Sequence, residues 1–411
     1  MTDIAPAPRL PVLVLGKHIT AIGALRTFAK RGIETYVVED TNDVITRSRW
    51  YRRPATTVAE TTDGDELARY LRGLEIERAV LFPCSDRWTQ AVAALPEDVR
   101  GRFPAAVASR EVVDSFIDKE RFRQLVERVG IPAPQTIPIA GPADLDAAPA
   151  DLLDKAFLKP TDSQRYSRRY GTKGWFVEDL GAAREHVAEA AAAGVTFMLQ
   201  EWIPGDPGRT ILLDGFMDRN GRVRGILARR RVRMDPPRLA NTACSLTIPL
   251  AEVEGAVASV RRLLASVGYR GIFNVEFKHD ERDGLFKIIE VNPRAFWMVA
   301  HVAKCGLDLP WMSYLDAQGL EVPALQRYRL GRHGHYELPD AASIVRALVN
   351  RRRPDGSVLR TWITGDHSMF WWSDPLPGLL DFRNAVVRRG GNALDALRRA
   401  VPLLDRDRVH G

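Results

Sequence analysis

Two acidic residues stand in apolar runs on either side of a turn, and this arrangement restricts the chain more than any other feature. Residues 271–294, GIFNVEFKHDERDGLFKIIEVNPR, read as two β-type arms that fold back at Asp283-Gly284. Successive side chains of a strand point to opposite faces, so Phe273, Val275 and Phe277 define one face and Glu276 belongs to the other. In the second arm Glu290 and Asn292 share a face, with Ile288, Ile289 and Val291 around them. Antiparallel neighbours can bring two such carboxylates close together on one face. Carboxylates side by side repel, so a pair in this position calls for a cation. With the Asn292 amide oxygen they form a hard, oxygen-only set that suits Mg²⁺, Mn²⁺ being an admissible substitute. The plainer reading is a solvent-exposed hairpin with unrelated acids, and the apolar flanks disfavour it. Arg294 lies past Pro293, beyond simple alternation, and reads as a separately aimed cation.

The 411 residues leave room for about two or three domains. A composition of 45% hydrophobic and 27% charged residues is that of a globular protein with ample core. The net charge of +7 is mild over this length. It is compatible with anionic substrates such as nucleotides and does not indicate a nucleic-acid binder. The clusters RRRVR (229–233) and RRR (351–353) have solvated surface as their plain reading. Cys84, Cys244 and Cys305 are odd in number and show no metal-site spacing, which argues for a reducing compartment and no structural metal. No apolar run reaches the roughly 18 residues of a membrane span, and the N-terminus lacks signal-peptide character, so a cytoplasmic location is expected.

Residues 11–40 read as a β-α-β unit: PVLVLG, the helical HITAIGALRTFAKRG, then IETYVVED. With RAVLFPCSD (78–86) they suggest a doubly wound sheet. The first turn lacks G-x-G-x-x-G, which counts against a nicotinamide cofactor. Asp86 has two readings, a ligand-side group at a strand end or the N-cap of the helix WTQAVAAL. Residues 114–129 predict one amphipathic helix, ended by Gly130. Residues 155–179 read as strand, polar loop, strand. The loop 161–174 is rich in hydroxyls and glycine and holds Lys173, a composition that can wrap phosphates. TFMLQEWIPGD is a strand that breaks at Pro204-Gly205. ILLDGFMDRNGRVRGILARRRV is a hairpin, and 251–268 a helix. Residues 321–411 read as helical and basic, with an aromatic island HSMFWWSDPLPGLL at 367–380.

DKERFRQLVERVGIPAPQT, FLKP, LQEWIPGD, FNVEF and IIEVNPR, in that order over about residues 111–320, resemble the ATP-grasp superfamily of carboxylate–amine ligases. Within that superfamily the chain is akin to members of the D-aspartate ligase type. The resemblance implies an α/β chain with α+β character in the ATP-grasp part. A doubly wound pre-ATP-grasp domain would span 1–110 and a two-subdomain ATP-grasp fold 111–320, its lid at about 118–200. A helical extension would follow at 321–411.

The implied activity joins a carboxylate to an amine through an acyl phosphate, giving an amide, ADP and phosphate. Lys119 and Lys159 would hold the phosphates of ATP from opposite sides, with Lys173 in the lid. The backbone around Glu201 and Ile203 would meet the adenine edge, with Gln200 or Glu201 near its amino group, and Asp206 the ribose. Glu276, Glu290 and Asn292 would hold Mg²⁺. Arg294 would steady the acyl phosphate, and Arg231 and Arg233 would lie near the phosphates or the acid substrate. The lid loop departs from the Gly-rich form usual in that superfamily. The partners implied are small carboxylate and amine substrates. A peripheral or polymer-bound acceptor and a homodimer are both compatible with the sequence. The rival readings are a non-catalytic nucleotide-binding module of the same fold and a nicotinamide-dependent oxidoreductase.

Overall fold

In β1 (Val12–Leu15) all four residues are buried. Alternation sends Val12 and Val14 into one cluster with Ile22, Leu25 and Phe28 of the helix His18–Lys30. Leu13 and Leu15 enter another with Leu67, Leu71 and Trp88. A strand covered on both faces reads as a continuous apolar run. β2 (Thr35–Val37) and β3 (Val80–Pro83) flank β1 in parallel, in the order β2-β1-β3. A Cβ on Gly16 would lie 2.7 Å from the Cβ of Cys84, so the loops leaving β1 and β3 touch where only glycine fits. That contact explains Gly16 without a pyrophosphate. The computed structural model describes residues 9–235, 239, 241–350 and 358–387.

A second sheet is formed by β4 (Thr136–Ile139), β5 (Ala156–Pro160), β6 (Trp175–Phe176) and β7 (Phe197–Glu201), in the order β4-β7-β5-β6. A third contains β8 (Thr210–Met217), β9 (Val223–Met234), β10 (Thr242–Ile248), β11 (Gly271–Asp280), β12 (Leu285–Asn292), β13 (His333–His335) and β14 (Asp366–His367). Its order is β12-β11-β8-β9-β10-β13-β14. Through Leu213, Ala228, Phe273, Val275 and Phe277, one face joins the core cluster with Val260, Leu263 and Leu264 of the helix Glu254–Ser266. The opposite face of its central strands carries the polar residues.

Several local expectations are corrected. Residues 114–129 are not one helix: Arg110–Ile117 and Lys119–Val129 meet at Asp118. Asp118 is extended, and its carboxylate accepts the Arg121 N–H, so an N-cap residue interrupts an otherwise continuous apolar stripe. The loop 161–174 contains the helix Ser163–Tyr170, capped by Asp162 and ended by Gly171 at φ 69°. Tyr166 anchors it, fully buried and bonded to His186 at 2.7 Å. The helix expected at 251–268 begins at Glu254, after a 3₁₀ turn, Leu250–Val253. The C-terminal part is not purely helical, because β13 and β14 extend the largest sheet. The cluster 351–353 and the end of the chain from 388 lie outside the described residues.

Candidate active site

The two hairpin arms pair in antiparallel register, with Asn274 opposite Asn292 and Glu276 directly opposite Glu290. The register then shifts, and Phe277 faces Ile288. Ile289 is therefore the extra residue of a β-bulge. The bulge lets Ile288 and Val291, three apart in sequence, both enter the core while Glu290 and Asn292 face away from it. It also turns the Ile289 carbonyl to the Lys159 Nζ, 3.4 Å away.

The second sheet closes a cleft over this face. Lys159 leaves the end of β5 and also reaches the Gln200 Oε1 at 3.5 Å. Lys119, the first residue of its helix, donates to the Pro160 carbonyl and to the Ser163 Oγ (2.9 Å). The break at Asp118 is what puts it there. Burial, and then the like charge of Lys159, push the Lys119 ammonium down to about 7. Burial pushes the Glu290 carboxylate up, yet Lys159, Lys173, the Asn292 amide and Lys119 together hold it below its ordinary value. Glu290 is nonetheless reached by solvent, as a group on the floor of a cleft would be. Glu276 accepts from the Arg231 Nη2 at 2.8 Å, and Arg231 is steadied by the Thr242 Oγ1 at 2.8 Å. Lys173 donates to the Asn241 Oδ1 at 2.5 Å.

Arg294 does not follow the alternation of β12. Its Nε donates to the Asp86 Oδ1 at 2.6 Å, and its Nη2 to the Asp86 Oδ2 at 3.4 Å and the Asn292 Oδ1 at 3.0 Å. Burial opposes its charge, and Asp86 holds it above its ordinary value. Asp86 thus pairs with Arg294 and does not cap its helix. The N-cap of its helix is Ser85, which accepts the Trp88 N–H.

Other expected residues are already engaged. Arg233 forms a two-point pair with Asp340 (2.5 and 2.9 Å). The Glu201 N–H donates to the carbonyl of Gln135, the residue just before β4, at 2.8 Å. The Glu201 carboxylate takes the Arg282 Nη2 at 2.7 Å. The Asp206 Oδ1 accepts the Gly208 N–H at 2.6 Å and caps a short turn. Ile203 is buried beside this junction. Asn274 and Asp214 were missed. Asn274 joins Asn292 (3.0 Å) to Asp214 (2.6 Å), which pairs with the buried Arg229 (2.5 Å). The alternation Asn274, Glu276, Lys278 in FNVEFK already put Asn274 on the acidic face.

Two directly opposed carboxylates, with Asn292 beside them, fit a hard divalent cation, because like charges across a ladder destabilise it unless something neutralises them. The cations ranged over that face fit a polyphosphate. Away from this cleft, Cys244, His335 and Asp340 gather, as do His301, Cys305 and Asp366. Arg233 and Trp362 already donate to Asp340, and Lys304 and Arg332 pair with Asp366.

No family model matches the chain. D-aspartate ligase of Enterococcus faecium (strain Aus0004) is 23% identical over 242 residues, 57% of either chain. The C-terminal section of the carbamoyl phosphate synthase large chain of Methanopyrus kandleri is 23% identical over 249 residues, 59% of this chain and 42% of that one. The chain thus spans about half the length of the curated relatives it matches. Among solved structures, N5-carboxyaminoimidazole ribonucleotide synthetase from Thermus thermophilus superposes with a TM-score of 0.57 at 18% identity, covering 78% of this chain and 81% of that one. The L-amino acid ligase of Bacillus licheniformis gives 0.55 at 13% identity, covering 75% and 74%.

Proposed function

We propose that this chain, whose fold is that of the ATP-grasp superfamily, is an ATP-dependent ligase joining a small carboxylate to an amine. The observation that carries the reading is the Glu276–Glu290 pair, set face to face by a bulged hairpin under Lys119, Lys159 and Lys173. The fold and the relatives support it. In this reading residues 1–110 form the pre-ATP-grasp domain, 111–320 the ATP-grasp domain and 321–411 an extension.

Glu276, Glu290 and Asn292 would hold Mg²⁺, which when bound supplies charge neutralisation on the phosphates. Lys119 and Lys159 bind phosphate oxygens from two sides. Lys173 adds a third cation from the lid. The nucleotide base lies along β7 and the turn after it, near Gln200, Glu201 and Ile203, with Asp206 toward the ribose. Because the Glu201 N–H is spent on Gln135, the base meets the remaining backbone groups of that turn. Arg231 and Arg294 flank the acid substrate, and Asp86 aims the Arg294 guanidinium at the transferring phosphoryl group. A carboxylate oxygen attacks the γ-phosphorus, and ADP leaves. The amine nitrogen then attacks the acyl carbon, phosphate leaves, and the nitrogen loses a proton. Positioning and fixed charge supply most of the barrier reduction.

The three cysteines are free and buried, in keeping with a reducing, cytoplasmic setting. Among the described residues no helix is long and apolar enough to cross a membrane. The test is ADP release across a panel of acids and amines with the wild type and Glu290→Ala. Release that depends on both substrates and vanishes in the variant supports the reading. Nucleotide binding without turnover for any pair would favour a non-catalytic binder, and near wild-type turnover by Glu290→Ala would remove the metal assignment.

A further inference from the structure

A carboxamide side chain offers two donor and two acceptor positions, and the neighbours of Asn292 take all but one of them. Its Nδ2 donates to the Asn274 Oδ1 at 3.0 Å and to the Glu290 Oε1 at 3.3 Å, which spends both amide hydrogens. Its Oδ1 accepts from the Arg294 Nη2 at 3.0 Å. One lone pair of that oxygen is left, on a side chain that is only half-buried. Turned the other way round, the amide would offer a cation its –NH₂ group and could not ligate it.

What fixes the amide in this orientation begins in the core. The Asp214 carboxylate is fully buried and takes two bonds from Arg229, at 2.5 and 3.1 Å. A carboxylate in such a pair can only accept, and here it accepts from the Asn274 Nδ2 at 2.6 Å. That bond turns the Asn274 oxygen towards Asn292, where only an N–H matches it. The Arg294 guanidinium, which only donates, sets the opposite end. Two amides between a carboxylate and a guanidinium satisfy every bond in one orientation alone. Glu290 and Arg294 favour the same orientation. In the ligase reading, however, both turn to the cation and the phosphoryl group once substrates bind. Asn274 is buried and tied to Asp214, so its bonds persist. We propose that Asn274 is a positioning residue, which carries the polarity of the buried Asp214–Arg229 pair to Asn292 and keeps the Asn292 oxygen turned to the divalent cation. The proposal deepens the ligase reading and rests on it for the cation.

The test is a double-variant cycle on the full-length protein, read as Mn²⁺ binding from the electron paramagnetic resonance signal of the free ion. Glu290→Gln is the reference that loses the site. Asn274→Leu, close in size but without polarity, should weaken Mn²⁺ binding by about tenfold or more. Asn292→Asp sets a second acceptor against the Asn274 oxygen, a clash that Asn274→Leu relieves. In the Asn292→Asp background the loss caused by Asn274→Leu should therefore vanish. A merely structural Asn274 would give the same loss in both backgrounds, and that result overturns the proposal. Binding unchanged by Asn274→Leu overturns it too. If thermal unfolding shows that Asn274→Leu does not fold, Asn274→Ala takes its place in the cycle with the same expectations. Mn²⁺ binding absent from the wild type, or retained in full by Glu290→Gln, would remove the cation assignment itself and the role of Asn274 with it.

Discussion

Two hairpins lie side by side in the largest sheet, β8–β9 and β11–β12, and they use charge in opposite ways. The first sets Asp214 against Arg229, both buried. Asn274 and Ser245 complete the hydrogen bonds of the pair. The second sets Glu276 against Glu290, like against like, at the edge of a solvent-reached cleft. A satisfied opposite-charge pair in the core needs no further partner. The like-charged pair is neutralised by Arg231 of its own sheet and by lysines that reach over from outside it, the arrangement the proposed site relies on. In the proposed reading a diagonal pair serves structure in one hairpin and a directly opposed pair serves chemistry in the other.

The sharpest way to break the comparison is to remove one acid from each. Asp214→Ala leaves Arg229 buried without its counter-charge and should cost about 3–5 kcal/mol of stability, read by chemical denaturation. Glu290→Gln removes a mutual repulsion together with the attraction of the surrounding lysines, so it should cost much less stability than Asp214→Ala, while turnover falls by roughly two to three orders of magnitude. If Glu290→Gln destabilised as much as Asp214→Ala, the two hairpins would be alike and the site would lose its distinction.

A smaller effect tests how the chemistry is aimed. Asp86→Asn keeps the size of the side chain but weakens its hold on Arg294. It should lower kcat by about tenfold with the KM for ATP little changed, because Asp86 acts through Arg294. A change in the KM for ATP alone would contradict that role.

The smallest effect is a pH dependence. Lys119 sits near 7 in the free protein, far below the usual 10.5, because of burial and Lys159. Above pH 7 it is mostly neutral, and a bound polyphosphate raises its proton affinity again. Nucleotide binding at pH 8 should therefore take up protons, and affinity should fall as pH rises above 7. Calorimetry in buffers of different ionisation enthalpy reads this directly. Lys119→Met should abolish the uptake. Uptake unchanged in that variant would assign the proton elsewhere.

Much of this was legible from short stretches. Period-two alternation put Glu276 on the polar face and Phe273, Val275 and Phe277 in the core, and the turn at Asp283-Gly284 was read correctly. The helix Ser163–Tyr170 was not. Its stretch is dominated by hydroxyl, Arg and Gln side chains, and Tyr166 becomes core only where His186 and Phe197 enclose it. The break at Asp118 was missed because an apolar stripe continues across it, although the N-cap residue was in view.

The sequence alone determined what repeats every two or four residues: the hairpins, their polar faces, the buried β1 and the types of ligand atom on offer. Local sterics and alternation act within a few residues and need no partner. The tertiary structure decided which groups meet. Only chain closure brings Asp86 to Arg294, 208 residues away, and Asp340 to Arg233, 107 away. The bulge at Ile289 belongs with these. Ile288, Ile289 and Val291 are all apolar, and nothing local says which one slips from the ladder. The slip is set by packing Ile288 and Val291 together into one core.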